Sequence, residues 1–191
     1  MKVKKLLVLV VLLSLWGGTM MFADSVSQKV RVIVNGSELK ETGVLTDGNT
    51  YLPLRQIADT LQSLITWDEA SKKVTLNKPN VHMFTFNDKA NPFGGVTKGS
   101  AITFSVWAQV DSLYTNISAI KVSIVDPYGR EDAIQTQEIA EKKDNFWFKT
   151  KEIKYNFDVA GNYAIRMYMK PSDSNSWSIV SEKLIISEAR K

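Results

Sequence analysis

The sequence VRVIVNGSEL at 30–39, followed by DGNTYLPLRQIADTL at 47–61 and ITWDEASKKVTL at 65–76, decides the fold of the first part of the chain. Asn35 and Gly36 follow a run of alternating apolar residues. An Asn-Gly pair is typical of a two-residue hairpin because both turn positions take a positive φ. We therefore predict a short antiparallel hairpin around this pair.

The two later stretches predict a second turn, one helix and a closing hairpin. Asp-Gly at 47–48 marks the next turn. Pro53 can open a helix without losing a needed N–H. Helical spacing is then shown by Leu54, Ile57, Ala58 and Leu61. With strands at 64–67 and 73–76, the pattern predicts a small α+β domain at 29–78, made of short antiparallel strands plus one helix.

Four motifs in this region carry a family resemblance. They are Val-Asn-Gly at 34–36, Gly-Asn-Thr-Tyr-Leu-Pro-Leu-Arg-Gln-Ile-Ala-Asp at 48–59, Thr-Trp-Asp at 66–68 and Lys-Lys-Val-Thr-Leu at 72–76. In this order they resemble the copper amine oxidase N-terminal-like domain, the stalk module. That family usually ends its helix with Leu-Gly, whereas Gln62 holds the glycine position here. Since glycine suits a left-handed helix cap, Gln62 is expected to be strained or to end the helix differently.

The resemblance implies a part without catalytic activity. The stalk lies outside the catalytic domain of copper amine oxidases, and similar modules recur on secreted and envelope proteins of Gram-positive bacteria. An amine oxidase needs three histidine ligands and a topaquinone made from Tyr in an Asn-Tyr-acidic sequence. This chain has one histidine, His82, and its Asn162-Tyr163 pair is followed by Ala164. Amine oxidase activity is therefore excluded, and no cofactor is expected.

The first residues predict export. Three lysines precede an apolar run at 6–15, and small and neutral residues follow up to Ala23. This order is typical of a secretory signal peptide, here 1–23, although an uncleaved anchor is the alternative. The apolar run is shorter than the roughly 20 residues of a membrane span. We expect a secreted, cell-surface-associated protein with no membrane span after cleavage.

The composition of the chain argues against several classes of function. Of the 24 basic residues, Lys2, Lys4 and Lys5 lie in the predicted leader, which leaves 21 against 20 acidic residues. A chain close to neutral does not favour nucleic-acid binding, which depends on clustered positive charge. The absence of cysteine excludes disulfides, a thiol nucleophile and a cysteine-linked lipid.

A second domain at 81–188 is predicted to be an all-β immunoglobulin-like sandwich. Predicted strands fall at 81–86, 102–110, 120–124, 133–139, 145–149, 152–157, 162–169 and 177–186. The sequence at 126–129, Asp-Pro-Tyr-Gly, predicts a turn. The sequence at 158–163 resembles the tyrosine corner of immunoglobulin-like domains, in which the hydroxyl, here that of Tyr163, bonds back to the backbone.

Aromatic residues are the candidate binding residues. Side chains alternate between the two faces of a strand. If Phe104, Phe148 and Tyr163 face the core, Trp107, Trp147 and Tyr168 must therefore lie on the outer face. Clustered exposed aromatics mark binding surfaces, and sugars stack on flat aromatic rings. The alternative is that Trp107 or Trp147 packs against the neighbouring domain or a loop, or that a bulge reverses the alternation.

Arg55 and Trp67 are secondary candidates. Both belong to the family pattern. Trp67 is most simply a core aromatic, with Arg55 paired to Asp59 or Asp68.

No catalytic or metal-binding residue is predicted. A lone histidine such as His82, in an extended segment, is typical of a surface or linker position. The acids considered for paired-carboxylate chemistry resemble ordinary solvated charge: Asp126, Glu131, Asp132 and Glu138.

We therefore expect a non-catalytic binding or scaffolding protein that engages cell-wall polysaccharide, another glycan or an envelope protein. The alternative is a small carbohydrate-active enzyme or accessory subunit, which requires two acids in an aromatic-lined cleft. A third possibility is a structural spacer without a ligand.

Overall fold

A computed structural model describes residues 27–189, so the predicted signal peptide at 1–23 lies outside the described residues. The described residues fall into two compact units, with the division between Pro53 and Leu54. Between residues 27 and 189, no helix is long and apolar enough to cross a membrane. The predicted domain limits, 29–78 and 81–188, stay predictions.

The described part of the first unit consists of short strands. They are β1 (Gln28–Val30), β2 (Ile33–Val34), β3 (Ser37–Glu38), β4 (Gly43–Thr46) and β5 (Asn49–Tyr51). β2 and β3 form one hairpin, and β1, β4 and β5 form a three-stranded sheet in the order β1-β4-β5. The Asn35-Gly36 turn has φ values of 51° and 79°, and the Asp47-Gly48 turn has 49° and 75°. The predicted hairpin at Asn35-Gly36 and the predicted turn at Asp47-Gly48 are both confirmed.

The second unit opens with the predicted helix and hairpin. Helix α1 spans Leu54–Thr60 and buries Ala58. Strands β6 (Leu64–Asp68) and β7 (Lys73–Asn77) pair antiparallel. Because Leu64 and Trp67 point to opposite faces of β6, only one of them can enter the core beneath the hairpin, and Leu64 is the buried one.

Gln62 ends the helix in the geometry that normally uses glycine. Its φ is +56°. The amide of Ser63 donates to the carbonyl of Ala58 at 2.8 Å, and the amide of Gln62 donates to that of Asp59 at 3.1 Å. These two bonds form a Schellman motif. The family's glycine position is thus filled by a residue with a strained backbone.

Replacing Gln62 with glycine is expected to stabilise the protein. A left-handed conformation costs a non-glycine residue about 1–2 kcal/mol, and the greater freedom of unfolded glycine offsets about 0.5–1 kcal/mol of that. Gln62→Gly should therefore raise the free energy of unfolding by up to about 1 kcal/mol, measured by urea denaturation. The matched control is Gln137→Gly on an exposed strand, which should destabilise. A loss of stability in Gln62→Gly would contradict the strain argument.

The rest of the second unit is a two-sheet β-sandwich. Its strands are β8 (Asn80–Asn87), β9 (Gly95–Thr97), β10 (Ala101–Asp111), β11 (Ile117–Val125), β12 (Glu131–Glu138), β13 (Phe146–Lys149), β14 (Ile153–Asn156), β15 (Gly161–Pro171) and β16 (Ser178–Glu188). In one sheet β10 pairs with β8, β13 and β14; the other has the order β12-β11-β15-β16-β9. All eight predicted strands are present, and the short parallel strand β9 was not predicted. The predicted fold class, an α+β segment followed by a β-sandwich, is confirmed.

The core lies between the two sheets. Its largest fully buried side chains include Phe104, Phe157, Tyr163 and Ile165. Leu64 of β6 belongs to the same apolar cluster. The side chain of Asn77, at the end of β7, donates to the carbonyl of Ser112 at 3.3 Å and accepts from the amide of Tyr114 at 3.2 Å. The hairpin is thereby joined to the sandwich.

The predicted tyrosine corner is present. The Tyr163 hydroxyl accepts a hydrogen bond from the amide of Val159 at 3.0 Å. The predicted turn at 126–129 also forms, because the Gly129 amide donates to the Asp126 carbonyl at 2.9 Å. These contacts fix the ends of β11 and β15.

Candidate binding surface

Three neighbouring strands place aromatic side chains on the outer face of the β8–β10–β13 sheet. Register pairs Phe84 of β8 with Trp107 of β10, and Trp107 with Lys149 of β13. Since paired residues point to the same side of a sheet, these three side chains form one row. The next row contains His82, Gln109 and Trp147.

A third row completes this surface with Phe86, which is paired with Ser105. We call Phe84, Phe86, Trp107 and Trp147 the aromatic face. Trp147 is 63% exposed, Phe84 44% and Trp107 36%. Alternate residues of the same strands, such as Val106, Ala108 and Phe148, lie in the core. The strands therefore have apolar side chains on both sides.

Trp107 is held in position by its neighbours. Its ring packs edge-on against Phe86, with 5.7 Å between the ring centroids and 67° between the ring planes. Its indole Nε1 donates to Ser105 Oγ at 3.3 Å. The ammonium of Lys149 lies 4.8 Å from the ring centroid, within the range of a cation–π interaction. The central ring of the aromatic face thus has a defined orientation.

A cavity of about 240 Å³ adjoins Trp107. Phe86 and Trp107 form its aromatic wall, and the other lining residues are Ala90 and five polar or charged residues: Asn87, Asp88, Ser105, Lys149 and Glu152. Ligand sites of proteins typically combine apolar walls with a few polar groups that fix orientation. The aromatic face and this cavity therefore form one continuous candidate surface.

The loop that closes the cavity is internally bonded. The side-chain oxygen of Asn87 accepts from the amides of Lys89 at 3.0 Å and Asn91 at 2.9 Å. Ala90 takes a φ of +58°, and its amide donates to the Asn87 carbonyl at 3.0 Å. This side of the cavity is thus shaped before any ligand binds.

Tyr168 lies on the face away from the core but is only 8% exposed, so the expectation of an outward, accessible ring is corrected. The ammonium of Lys121, its partner on β11, lies 4.0 Å from the ring centroid. The hydroxyl donates to Glu131 Oε2 at 3.0 Å. Tyr168 belongs to a different sheet from the aromatic face and is a structural residue.

The Glu131 carboxylate beside Tyr168 has a lowered pKa. Partial burial raises the pKa, but the Ser123 hydroxyl, the Lys121 ammonium and the Tyr168 hydroxyl together lower it more. Lys121 also forms an ion pair with Glu131 at 3.2 Å. This carboxylate is held ionised by its partners, which is the opposite of what a catalytic acid needs.

The two secondary candidates are not brought to the aromatic face. Trp67 is 46% exposed, so the interpretation as a core aromatic is wrong; its Nε1 donates to Glu69 at 2.5 Å. Arg55 is exposed on α1, and the ion pairs formed among residues 27–189 do not join it to Asp59 or Asp68. Asp68 instead accepts from Ala70 and Ser71, and its bonds to Ser71 lower the carboxylate pKa.

None of the acids considered from the sequence lines the cavity beside Trp107. Asp126 and Asp132 are both paired with the Arg130 guanidinium, at 3.5 and 3.6 Å from its Nε, and Asp126 also accepts from the amides of Tyr128 and Arg130, both at 2.9 Å. Glu138 is exposed at the end of β12. In the described range, 27–189, no group of three histidine, cysteine, aspartate or glutamate residues is placed to hold a metal ion.

Phe84 and Phe86 were missed as candidates, although the sequence contains a signal for them. In His-Met-Phe-Thr-Phe at 82–86, alternation separates His82, Phe84 and Phe86 from Met83 and Thr85. The register with Trp107 is not readable from that segment, because it depends on which strands pair.

Comparison with known proteins finds a family similarity for part of the chain. A search of curated proteins finds no match. Residues 33–112, less than half of the chain, match the family model described as the copper amine oxidase N-terminal domain, which confirms the resemblance predicted from the sequence. The matched region runs from β2 through the whole of β10, so it includes Trp107 of the aromatic face. Over these residues the chain is similar to the copper amine oxidase N-terminal domain, a non-catalytic stalk-like module.

Proposed function

We propose that this protein is a non-catalytic binding protein of the cell envelope and that its aromatic face binds a wall polysaccharide. The main support for the proposal is a group of exposed rings on a rigid sheet. Phe84 and Trp107 lie in one row, and Trp147 lies in the adjoining row. Soluble proteins rarely leave large apolar side chains clustered on the surface unless that surface binds something.

The shape of the aromatic face favours an extended, partly apolar ligand. Three strands spaced by about 4.8 Å give the rows a width of about 10 Å. Diagonal neighbours such as Trp107 and Trp147 are separated by about 7–8 Å. The flat face of a sugar ring is apolar and its rim carries hydroxyls. The exposed rings can stack on the apolar face, and the side chain of Gln109 beside them can bond to the hydroxyls, so the surface matches both features.

Sheet geometry also favours binding without a large rearrangement. The aromatic side chains project from strands whose opposite side chains fill the core, so the backbone beneath them is fixed. Rigid aromatic side chains lose little conformational entropy on binding. Placement in the envelope is supported by the leader pattern at 1–23, with its lysines followed by an apolar run.

Sedimentation with purified cell walls tests the proposal. We expect the full chain to be retained, and a variant with both Trp107→Ala and Trp147→Ala to bind at least tenfold more weakly, because each 1.4 kcal/mol of lost contact is a factor of ten. Circular dichroism should show that the variant remains folded. The matched control carries Tyr114→Ala and Tyr128→Ala, two exposed aromatics elsewhere on the second unit. The proposal fails if wild type is not retained or if the control loses as much binding.

Two treatments of the cell walls distinguish a polysaccharide ligand from a protein ligand. Removal of wall polysaccharide by mild acid should abolish retention, whereas protease treatment of the walls should leave it unchanged; the reverse result would indicate an envelope protein. Reducing sugar ends should not accumulate during incubation. Their release by the wild type would favour the carbohydrate-active enzyme and overturn the non-catalytic assignment.

A further inference from the structure

The cavity beside Trp107 contains an unusual combination of charges. Two carboxylates, those of Asp88 and Glu152, line it together with one ammonium, that of Lys149. The ion pairs formed among residues 27–189 include none of these three groups. The lining therefore has an excess of one negative charge, and its carboxylates are not neutralised by described partners.

The aromatic wall of the same cavity already holds a cation. Lys149 Nζ lies 4.8 Å from the Trp107 ring centroid, and tryptophan is the side chain whose ring attracts ammonium groups most strongly. The ring is fixed by Phe86 and Ser105, so its position is set before any ligand binds, with the Lys149 ammonium over one of its faces. Aromatic rings together with carboxylates are the combination by which proteins recognise ammonium ligands.

We propose that this cavity binds a saccharide unit that carries a free ammonium group, such as an amino sugar without its acetyl group. The inference rests on the proposed polysaccharide binding and names the unit that the cavity selects. The sugar ring would lie against Phe86 and Trp107, while its ammonium would meet Asp88 and Glu152. A volume of about 240 Å³ is below the usual range for drug-sized ligands and suits one such unit rather than several.

Matched oligosaccharides test this selectivity on the full chain. A glucosamine tetramer and its fully N-acetylated counterpart differ only in the amines, and titration calorimetry should be done at a pH at which those amines are protonated. We expect the free-amine tetramer to bind at least tenfold more tightly, with an affinity that falls as salt is added. Affinity for the acetylated tetramer should change little with salt.

Variants of the cavity acids identify the source of selectivity. A variant with Asp88→Asn and Glu152→Gln should lose the tenfold preference and keep the affinity for the acetylated tetramer. The control, with Glu138→Gln and Glu141→Gln, removes the same charge from other exposed positions and should keep the preference. Equal binding of both tetramers by wild type would overturn this inference and leave polysaccharide binding standing. If neither tetramer binds, this inference is overturned even where cell walls retain the protein, and a loss of retention overturns the proposed function as well.

Discussion

Phe157→Ala is expected to lower the free energy of unfolding by about 3–5 kcal/mol, the range found when a buried aromatic is truncated. Phe157 is fully buried, and its ring packs against Tyr163 at 4.9 Å, Tyr155 at 5.2 Å and Phe104 at 6.3 Å between centroids. Removing the ring leaves a cavity among three other rings that cannot all move inward. Because domains are stable by only about 5–15 kcal/mol, a large part of the native stability would be lost.

Urea denaturation followed by tryptophan fluorescence measures this loss. Phe157→Leu should lose less, because it keeps much of the apolar volume. Tyr128→Ala, which removes an exposed ring, should stay within about 0.5 kcal/mol of wild type. A loss below about 1 kcal/mol for Phe157→Ala would show that the aromatic cluster is not the centre of the core.

The local turns and the alternation of apolar and polar side chains could be predicted from the sequence because short-range sterics determine them. Asn35-Gly36 and Asp47-Gly48 form hairpins because few other pairs accept two positive φ values. The corner at Tyr163 was readable because its hydrogen bond spans four residues of one chain segment. The pairing of distant segments could not be predicted from the sequence. Examples are the pairing of β1 with β4 and the parallel pairing of the three-residue β9 with β16.

Alternation predicts which face a side chain takes, but it does not predict what covers that face. Trp107 and Trp147 are 36% and 63% exposed, although the Lys149 ammonium lies over the Trp107 ring. Tyr168 obeys the same alternation and is covered by Lys121 from the adjacent strand.

The cavity beside Trp107 depends on segments that are distant in the sequence. The loop that begins at Asn87 supplies one wall, and Glu152 follows β13 much later in the chain. Only the sheet, through β10, brings them together. For the same reason, the predicted list of isolated acids did not include Asp88 or Glu152.

Gly161→Ala is expected to lower the free energy of unfolding by about 2–4 kcal/mol, by adding a steric penalty to a backbone strain of about 1–3 kcal/mol. Gly161 begins β15 with a φ of +135°, a conformation that side chains rarely adopt. A Cβ there would lie 3.0 Å from Cγ and 3.1 Å from Cβ of Pro127, in the turn that ends β11. Either β15 or that turn must move, and both moves disturb the corner fixed by Tyr163.

Two other glycines serve as controls. Their alanine variants distinguish the loss of stability caused by backbone strain from the loss caused by the steric contact. Gly99 has a φ of +81° with open space where a Cβ would lie, so Gly99→Ala reports backbone strain alone. Gly94 has open space and no unusual φ, so Gly94→Ala should be neutral or slightly stabilising through the unfolded state. Thermal unfolding of the three variants should rank them Gly161→Ala, Gly99→Ala, Gly94→Ala from most to least destabilised. If Gly161→Ala and Gly99→Ala lose the same stability, the contact with Pro127 contributes nothing and the two turns are not coupled through it.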